Sequence, residues 1–168
     1  FSWYISGETI ALVGIWAQKI AMGWLTWELT KSNFWLGAIA FADLFPTVLI
    51  TPFAGVIADR VDRLQMSRWC QTLAGIHAFI MSWLTFTGLI NIWSLFVLTL
   101  VLGVVLAFAT AARLALVPNL IAAENIPTAI SMNASIYNIA RVVGPAIAAL
   151  LISLIGIGAT FLYTGLSY

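Results

Sequence analysis

The sequence predicts an all-α membrane protein, a bundle of five spanning helices with a sixth begun at its end. Of its 168 residues, 62% are hydrophobic and 8% charged, and mean hydropathy is +1.05. A water-soluble domain carries roughly 25% charged residues, so this composition cannot clothe a soluble surface. The apolar residues also fall in runs of about 20 or more, the length that crosses a hydrocarbon core. The breaks between those runs carry turn chemistry.

In chain order, the runs place spans at Trp3–Leu29, Phe34–Ala58, Met66–Gly88, Ile92–Leu116 and Ile126–Ile155. A sixth starts near Ala159 and reaches Tyr168, about half the length a spanning helix needs. The sequence therefore reads as a piece, beginning near the start of helix 1 and ending inside helix 6. The breaks are Thr30–Asn33, Asp59–Arg63, Leu89–Asn91, Pro118–Glu124 and Gly156–Gly158.

Basic residues set the expected orientation. Arg60, Arg63 and Arg68 follow the second span and Arg113 closes the fourth, whereas the other connections hold only Lys31. By the positive-inside rule the 2–3 and 4–5 loops are cytoplasmic, and helix 1 enters from that side. Trp24, Trp27, Trp35, Trp83 and Trp93 then fall at the outer interface, and Trp3 and Trp69 at the inner one. Indole rings favour those depths, where one edge is apolar and the other wet.

Small residues at four-residue spacing mark the helix faces that meet protein. Gly103, Ala107 and Ala111 form one stripe on the fourth span; Ala140, Gly144 and Ala148 form another on the fifth. Such stripes let backbones approach closely in a lipid setting. Pro145 removes a backbone donor in mid-helix and, beside Gly144, is expected to kink the fifth span.

The net charge of +1, with seven Lys and Arg in no dense run, gives no footprint for nucleic acid. One cysteine, Cys70, rules out an internal disulfide, and the lone His77 leaves little for a metal cluster. Both read as packing residues of one apolar helix. No residue pattern points to a bound cofactor.

Four ionisable residues lie inside predicted spans: Glu8 and Lys19 on the first, Asp43 on the second and Arg141 on the fifth. Each charge at mid-bilayer costs about 2.5–3.5 kcal/mol even by the lower scales, so each is expected to face the bundle or a water-filled cavity. Glu8 and Lys19, about three helical turns apart, share a face of helix 1. Lys19 and Asp43 lie at similar distances either side of the first turn, hence at similar depth, and form the best candidate pair. Glu8 has no partner by spacing, which fits it to carry a proton.

The junction after the second span reads Gly55-Val-Ile-Ala-Asp59-Arg60-Val-Asp62-Arg63. An aspartate closing a helix opposes the helix dipole and needs a partner, and Gly55 one turn earlier would permit a close approach. This stretch resembles the signature between helices 2 and 3 of the major facilitator superfamily, Gly-x-x-x-Asp-Arg-x-Gly-Arg-Arg. Gly55, Asp59, Arg60 and Arg63 match; Asp62 and Leu64 depart from it. The Asp-Arg-x-Asp-Arg form resembles the branch of enterobactin and macrolide exporters. Trp24 to Ser32, the Thr51-Pro52-Phe53-Ala54-Gly55 run and Ala112-Arg113 followed by Leu116-Val117-Pro118 are similar to that branch too. Asn138-Ile-Ala-Arg141-Val-Val-Gly144-Pro145 resembles its helix 5 motif, with Ala148 and Ala149 where the related antiporter motif has glycines.

The resemblance implies that residues 1–168 are the N-terminal half of a twelve-helix transporter, a six-helix bundle of two inverted three-helix repeats. It implies proton-coupled export of a small amphipathic or cationic compound by alternating access, in a bacterial plasma membrane. Gly55, Asp59, Arg60, Asp62, Arg63 and Arg113 would form the gate against a C-terminal half. Glu8, Lys19, Asp43 and Arg141 would line the substrate or proton path, with Gly144 and Pro145 as the helix 5 motif. Two other readings stay open on the residues alone. One is a membrane scaffold whose charges only join helices. The other is a metal-dependent phosphotransferase using Asp59 and Asp62.

Overall fold

In a computed structural model the chain forms six helices: α1 (Ser2–Thr30), α2 (Asn33–Ala58), α3 (Arg63–Phe86), α4 (Ile92–Leu120), α5 (Ile126–Ile155) and α6 (Ile157–Ser167). The structure describes the backbone of residues 2–58, 60–120 and 126–168, and the side chains of 10–58, 60–113 and 134–168.

Each break has a local cause. Lys31, at φ 49°, turns the chain out of α1 while its N–H donates to the Trp27 carbonyl at 2.9 Å. Asp62 caps α3, its carboxylate accepting the N–H groups of Leu64 and Gln65 at 2.9 and 3.2 Å. Those donors have no partner within the first turn of a helix, which is why an aspartate there starts one. Gly88, at φ 69°, ends α3 where the Leu89 and Ile90 N–H groups both return to the Leu84 carbonyl. Asn91 and Ser94 then cap α4 reciprocally, side chain to backbone N–H in each direction, at 2.9 and 3.1 Å.

Two boundaries differ from the sequence reading. The cap at Asp62 starts α3 three residues before Met66, so Arg63 and Arg68 lie on its first two turns rather than in a loop. Helix α4 runs past Leu116 and through Pro118 to Leu120. A proline this near the helix end forfeits a single backbone bond. The remainder of the expected Pro118–Glu124 turn lies outside the described residues.

The packing pattern has an internal symmetry. Helix α2 packs chiefly on α4, α1 on α5, α3 on α4 and α6, and α6 on α1. Exchanging α1 with α4, α2 with α5 and α3 with α6 turns the α2–α4 contact into α5–α1 and α3–α4 into α6–α1. The α3–α6 contact maps onto itself. These larger contacts pair as those of two inverted three-helix repeats would.

Glycine permits both main crossings. A Cβ on Gly103 would lie 3.0 Å from the Asp43 carbonyl oxygen and 3.2 Å from that of Ala42; one on Gly144 would lie 3.0 Å from the Val13 carbonyl oxygen. Ala107, Ala111, Ala140 and Ala148 are buried along the same two stripes. By contrast, among the described residues nothing lies within 4 Å of a Cβ built on Gly55. Helix α5 continues through Pro145 as one element.

The core joins Met22, Leu25, Met81, Leu95, Leu102 and Phe161. Among the described residues, three segments are long and apolar enough to cross a membrane: Asn33–Ala58, Ile92–Arg113 and Ala134–Ile155. Large apolar side chains such as Phe34, Val48, Val142 and Leu154 point out of the bundle, each at least 75% exposed. Their surroundings in the membrane must be lipid or protein. Trp24, Trp27, Trp83 and Trp93 are exposed at the end that carries the α1–α2 and α3–α4 turns, where Trp35 meets Trp93 edge to face at 5.1 Å. Trp69 is exposed near the start of α3. Trp3 lies outside the described side chains.

A charged cluster beside the central cavity

Lys19 and Asp43 meet across the α1–α2 interface, Nζ to Oδ2 at 2.6 Å. Their equal distance from the α1–α2 turn sets the common depth, and the tight Gly103 crossing pins α2 at Ala42 and Asp43. The side chains are 27% and 12% exposed, so neither charge is fully hydrated. The second carboxylate oxygen, Oδ1, is buried without a partner among the described residues.

Trp16 extends the pair to α5. The Lys19 ammonium and the Arg141 guanidinium each lie 5.6 Å from the centre of its ring, within cation–π range. Tyr137 meets the same ring edge-on at 5.7 Å. The indole Nε1 is buried and unpartnered among the described residues, whereas Arg141 is exposed. Close packing of Gly144 on α1 is what brings this stretch of α5 against Trp16.

Of this cluster Trp16, Lys19, Asp43 and Tyr137, but not Arg141, line a cavity of about 540 Å³, whose wall also includes Thr47, Arg68 and Arg113. Leu44, Leu106 and Tyr137 supply apolar and aromatic wall. The cavity runs toward the α2–α3 turn, where Leu64, Ser67 and Arg68 line it. Its mixture of large apolar surface and a few charged groups is the chemistry of a small-molecule site.

Three of the four mid-span ionisable residues thus come together: Lys19, Asp43 and Arg141. The side chain of the fourth, Glu8, lies outside the described residues, as does Asp59 of the helix 2–3 motif. Of the other motif residues, Arg60 is exposed and Asp62 serves as the α3 cap. Arg63 and Arg113 are both engaged in contacts, and Arg113 also lines the cavity. Trp16 is the residue the sequence reading passed over. Its signal was present, a tryptophan at mid-span one turn from a lysine, rather than at either interface.

His77 packs in the bundle as expected, but with a definite hydrogen-bond role. Its Nε2 lies 3.0 Å from the Leu98 carbonyl oxygen, and its Nδ1 lies 3.1 Å from Gln18 Nε2. A carbonyl only accepts, so Nε2 carries the hydrogen and Nδ1 accepts from the Gln18 amide. The neutral ring therefore ties α3 to α4 and α1. Cys70, seven residues earlier, is buried and forms part of the cavity wall. Among the described residues no group of three or more His, Cys, Asp or Glu side chains is placed to hold a metal.

The whole chain, residues 1–168, matches a family model described as transmembrane secretion effector, within the major facilitator superfamily. It is similar to the staphyloferrin A transporter of Staphylococcus aureus, 27% identical over 167 residues. It is also similar to macrolide efflux protein A of Streptococcus pyogenes, 24% identical over 148 residues. These alignments cover 99% and 88% of this chain but 42% and 36% of the relatives, so the chain spans well under half of their length. No solved structure matches it.

Proposed function

The chain belongs to the transmembrane secretion effector family of the major facilitator superfamily, and from that premise we propose that it is the N-terminal half of a proton-coupled secondary exporter. Transport would proceed by alternating access between this six-helix half and a second one, with a small amphipathic compound carried in the cavity beside Lys19 and Asp43. Relatives named for a siderophore and for macrolides support that substrate class. The observation that carries the reading is the Lys19–Asp43 pair held at mid-span on the cavity wall. Charge at that depth is costly, and an ionisable pair facing a cavity there supports a place on a transport pathway.

In this reading the α2–α3 and α4–α5 loops face the cytoplasm of a bacterial plasma membrane. The distribution of Arg60, Arg63, Arg68 and Arg113 supports that orientation. Gly55, Asp59, Arg60, Arg63 and Arg113 form the cytoplasmic gate, and the open space beside Gly55 is where the second half approaches. Asp62 contributes by fixing the start of α3. Asp43 and Glu8 would be the carboxyl groups that take up protons.

The test uses the full-length protein expressed in cells stripped of their own exporters, with accumulation of an amphipathic compound panel as readout. Wild type lowers accumulation of at least one compound, and collapsing the proton gradient abolishes that effect. Asp59→Asn raises accumulation toward the empty-vector level at equal membrane abundance, because it removes a charge-assisted bond that holds one of the two states. Wild-type export by Asp59→Asn would remove that residue from the gate. Export that survives collapse of the gradient would remove the protons.

A further inference from the structure

The two members of the mid-span pair are not held alike. Asp43 lies where α2 crosses α4 most closely, with its carbonyl oxygen 3.0 Å from a Cβ built on Gly103. The Thr47 hydroxyl lies 3.3 Å from that oxygen and 3.3 Å from the Gly103 carbonyl oxygen. The short Asp43 side chain on this fixed backbone is 12% exposed and has little travel. Lys19 reaches it from α1 on a flexible four-carbon stem and is 27% exposed. Its ammonium also lies 5.6 Å from the centre of the Trp16 ring, a second favourable contact on the same wall.

That asymmetry decides what opening the pair costs. An anion that drew Lys19 away would leave the Asp43 carboxylate stranded and poorly hydrated. A cation that took Asp43 leaves the carboxylate paired, and leaves Lys19 a ring to rest on and partial hydration. The wall beside the pair suits the body of such a cation, with Ile15, Leu44, Leu106 and the rings of Trp16 and Tyr137. Arg68 and Arg113 line the cavity farther toward the α2–α3 turn. Arg113 lies about 15 Å along α4 from Gly103, the residue packed on Asp43, so its charge acts mainly at that end.

Building on the transporter reading, we propose that Lys19 is a tethered placeholder for substrate. An amphipathic amine enters the cavity, its protonated nitrogen takes the Asp43 carboxylate, and the Lys19 ammonium yields while remaining against Trp16. In the empty cavity the lysine keeps Asp43 compensated. It also sets a threshold that a ligand must exceed, which makes Lys19 a specificity-determining residue.

The test is isothermal titration of the full-length protein in lipid nanodiscs, with empty nanodiscs as the blank. Three probes share one skeleton: 2-(2-naphthyl)ethylammonium, 2-(2-naphthyl)ethanol and 2-naphthylacetate, a cation, a neutral molecule and an anion. Wild type binds the cation more tightly than the other two. Lys19→Gln removes the competitor and raises affinity for the cation about tenfold, the scale of one ionic hydrogen bond, with the alcohol unchanged. Asp43→Asn removes the preference for the cation. Lys19→Arg, whose fork holds a carboxylate through two bonds, binds the cation less tightly than wild type. This variant keeps the pair, so it reports on a folded protein even where Lys19→Gln is destabilised. The cation also raises the melting temperature of Lys19→Gln more than that of wild type, because it supplies the missing partner. Unchanged or weaker binding of the cation by Lys19→Gln overturns the proposal, as does an equal gain for the alcohol, which would report added room alone. A wild-type preference for the anion, or no binding of the cation by any variant, overturns it too. Export of only neutral or anionic compounds in the panel assay would do the same while leaving the transporter reading standing.

Discussion

Lys19 and Asp43 sit at a depth where either charge alone is unfavourable, so each depends on the other more than a surface pair would. Removing one partner strands its mate in a poorly hydrated site. Lys19→Met is expected to destabilise the full-length protein by about 1–3 kcal/mol, below the figure for a fully buried pair because both side chains retain some exposure. The double change Lys19→Met with Asp43→Leu restores most of that loss, read as melting temperature in detergent. A double variant no more stable than Lys19→Met would show that the two residues are not energetically coupled. The pair was legible in the sequence because both residues lie about ten positions from one tight turn. Trp16 was not, because indoles are read first as markers of the interface, and nothing local announces that two cations from α1 and α5 share one ring. Asp62 differs again: the motif resemblance marks it only as a departure from glycine, whereas its position ahead of α3 makes it a cap.

At the scale of the helices, the two long crossings rest on glycine. Gly144→Ala would push a methyl group against the backbone of α1, where no flexible side chain end can yield. A loss of about 1–3 kcal/mol follows from forced overpacking, together with a change in the Trp16–Arg141 geometry. Gly55→Ala is the control: its Cβ enters open space within this half, so stability changes by about 0.5 kcal/mol or less. Paired melting curves of the two full-length variants decide this. Equal losses would mean that Gly144 does not set the α1–α5 separation. The small-residue stripes foretold both crossings because spacing of four residues places them on one face. Helix ends were less readable, since α3 begins where a side chain caps it and α4 continues past a proline whose cost is a single bond.

For the whole molecule, hydrophobic run lengths sufficed to predict an all-helical membrane bundle. The inverted repeat came from the motif resemblance, and the larger helix contacts agree with it. What no run length conveys is which helix faces remain open. The exposed apolar side chains of α2 and α5 and the exposed Arg141 belong to a surface whose neighbours lie beyond these six helices. The central claim is that the cavity beside Lys19 and Asp43 opens alternately to the two sides of the membrane. Its most direct test is side-specific labelling of Thr47→Cys, on the cavity wall, in the full-length protein made otherwise free of cysteine, Cys70→Ser included. With a membrane-impermeant methanethiosulfonate reagent, the new thiol should react in right-side-out vesicles and in inside-out vesicles alike. Reaction from one side only, or from neither, would contradict alternating access and leave the bundle a scaffold.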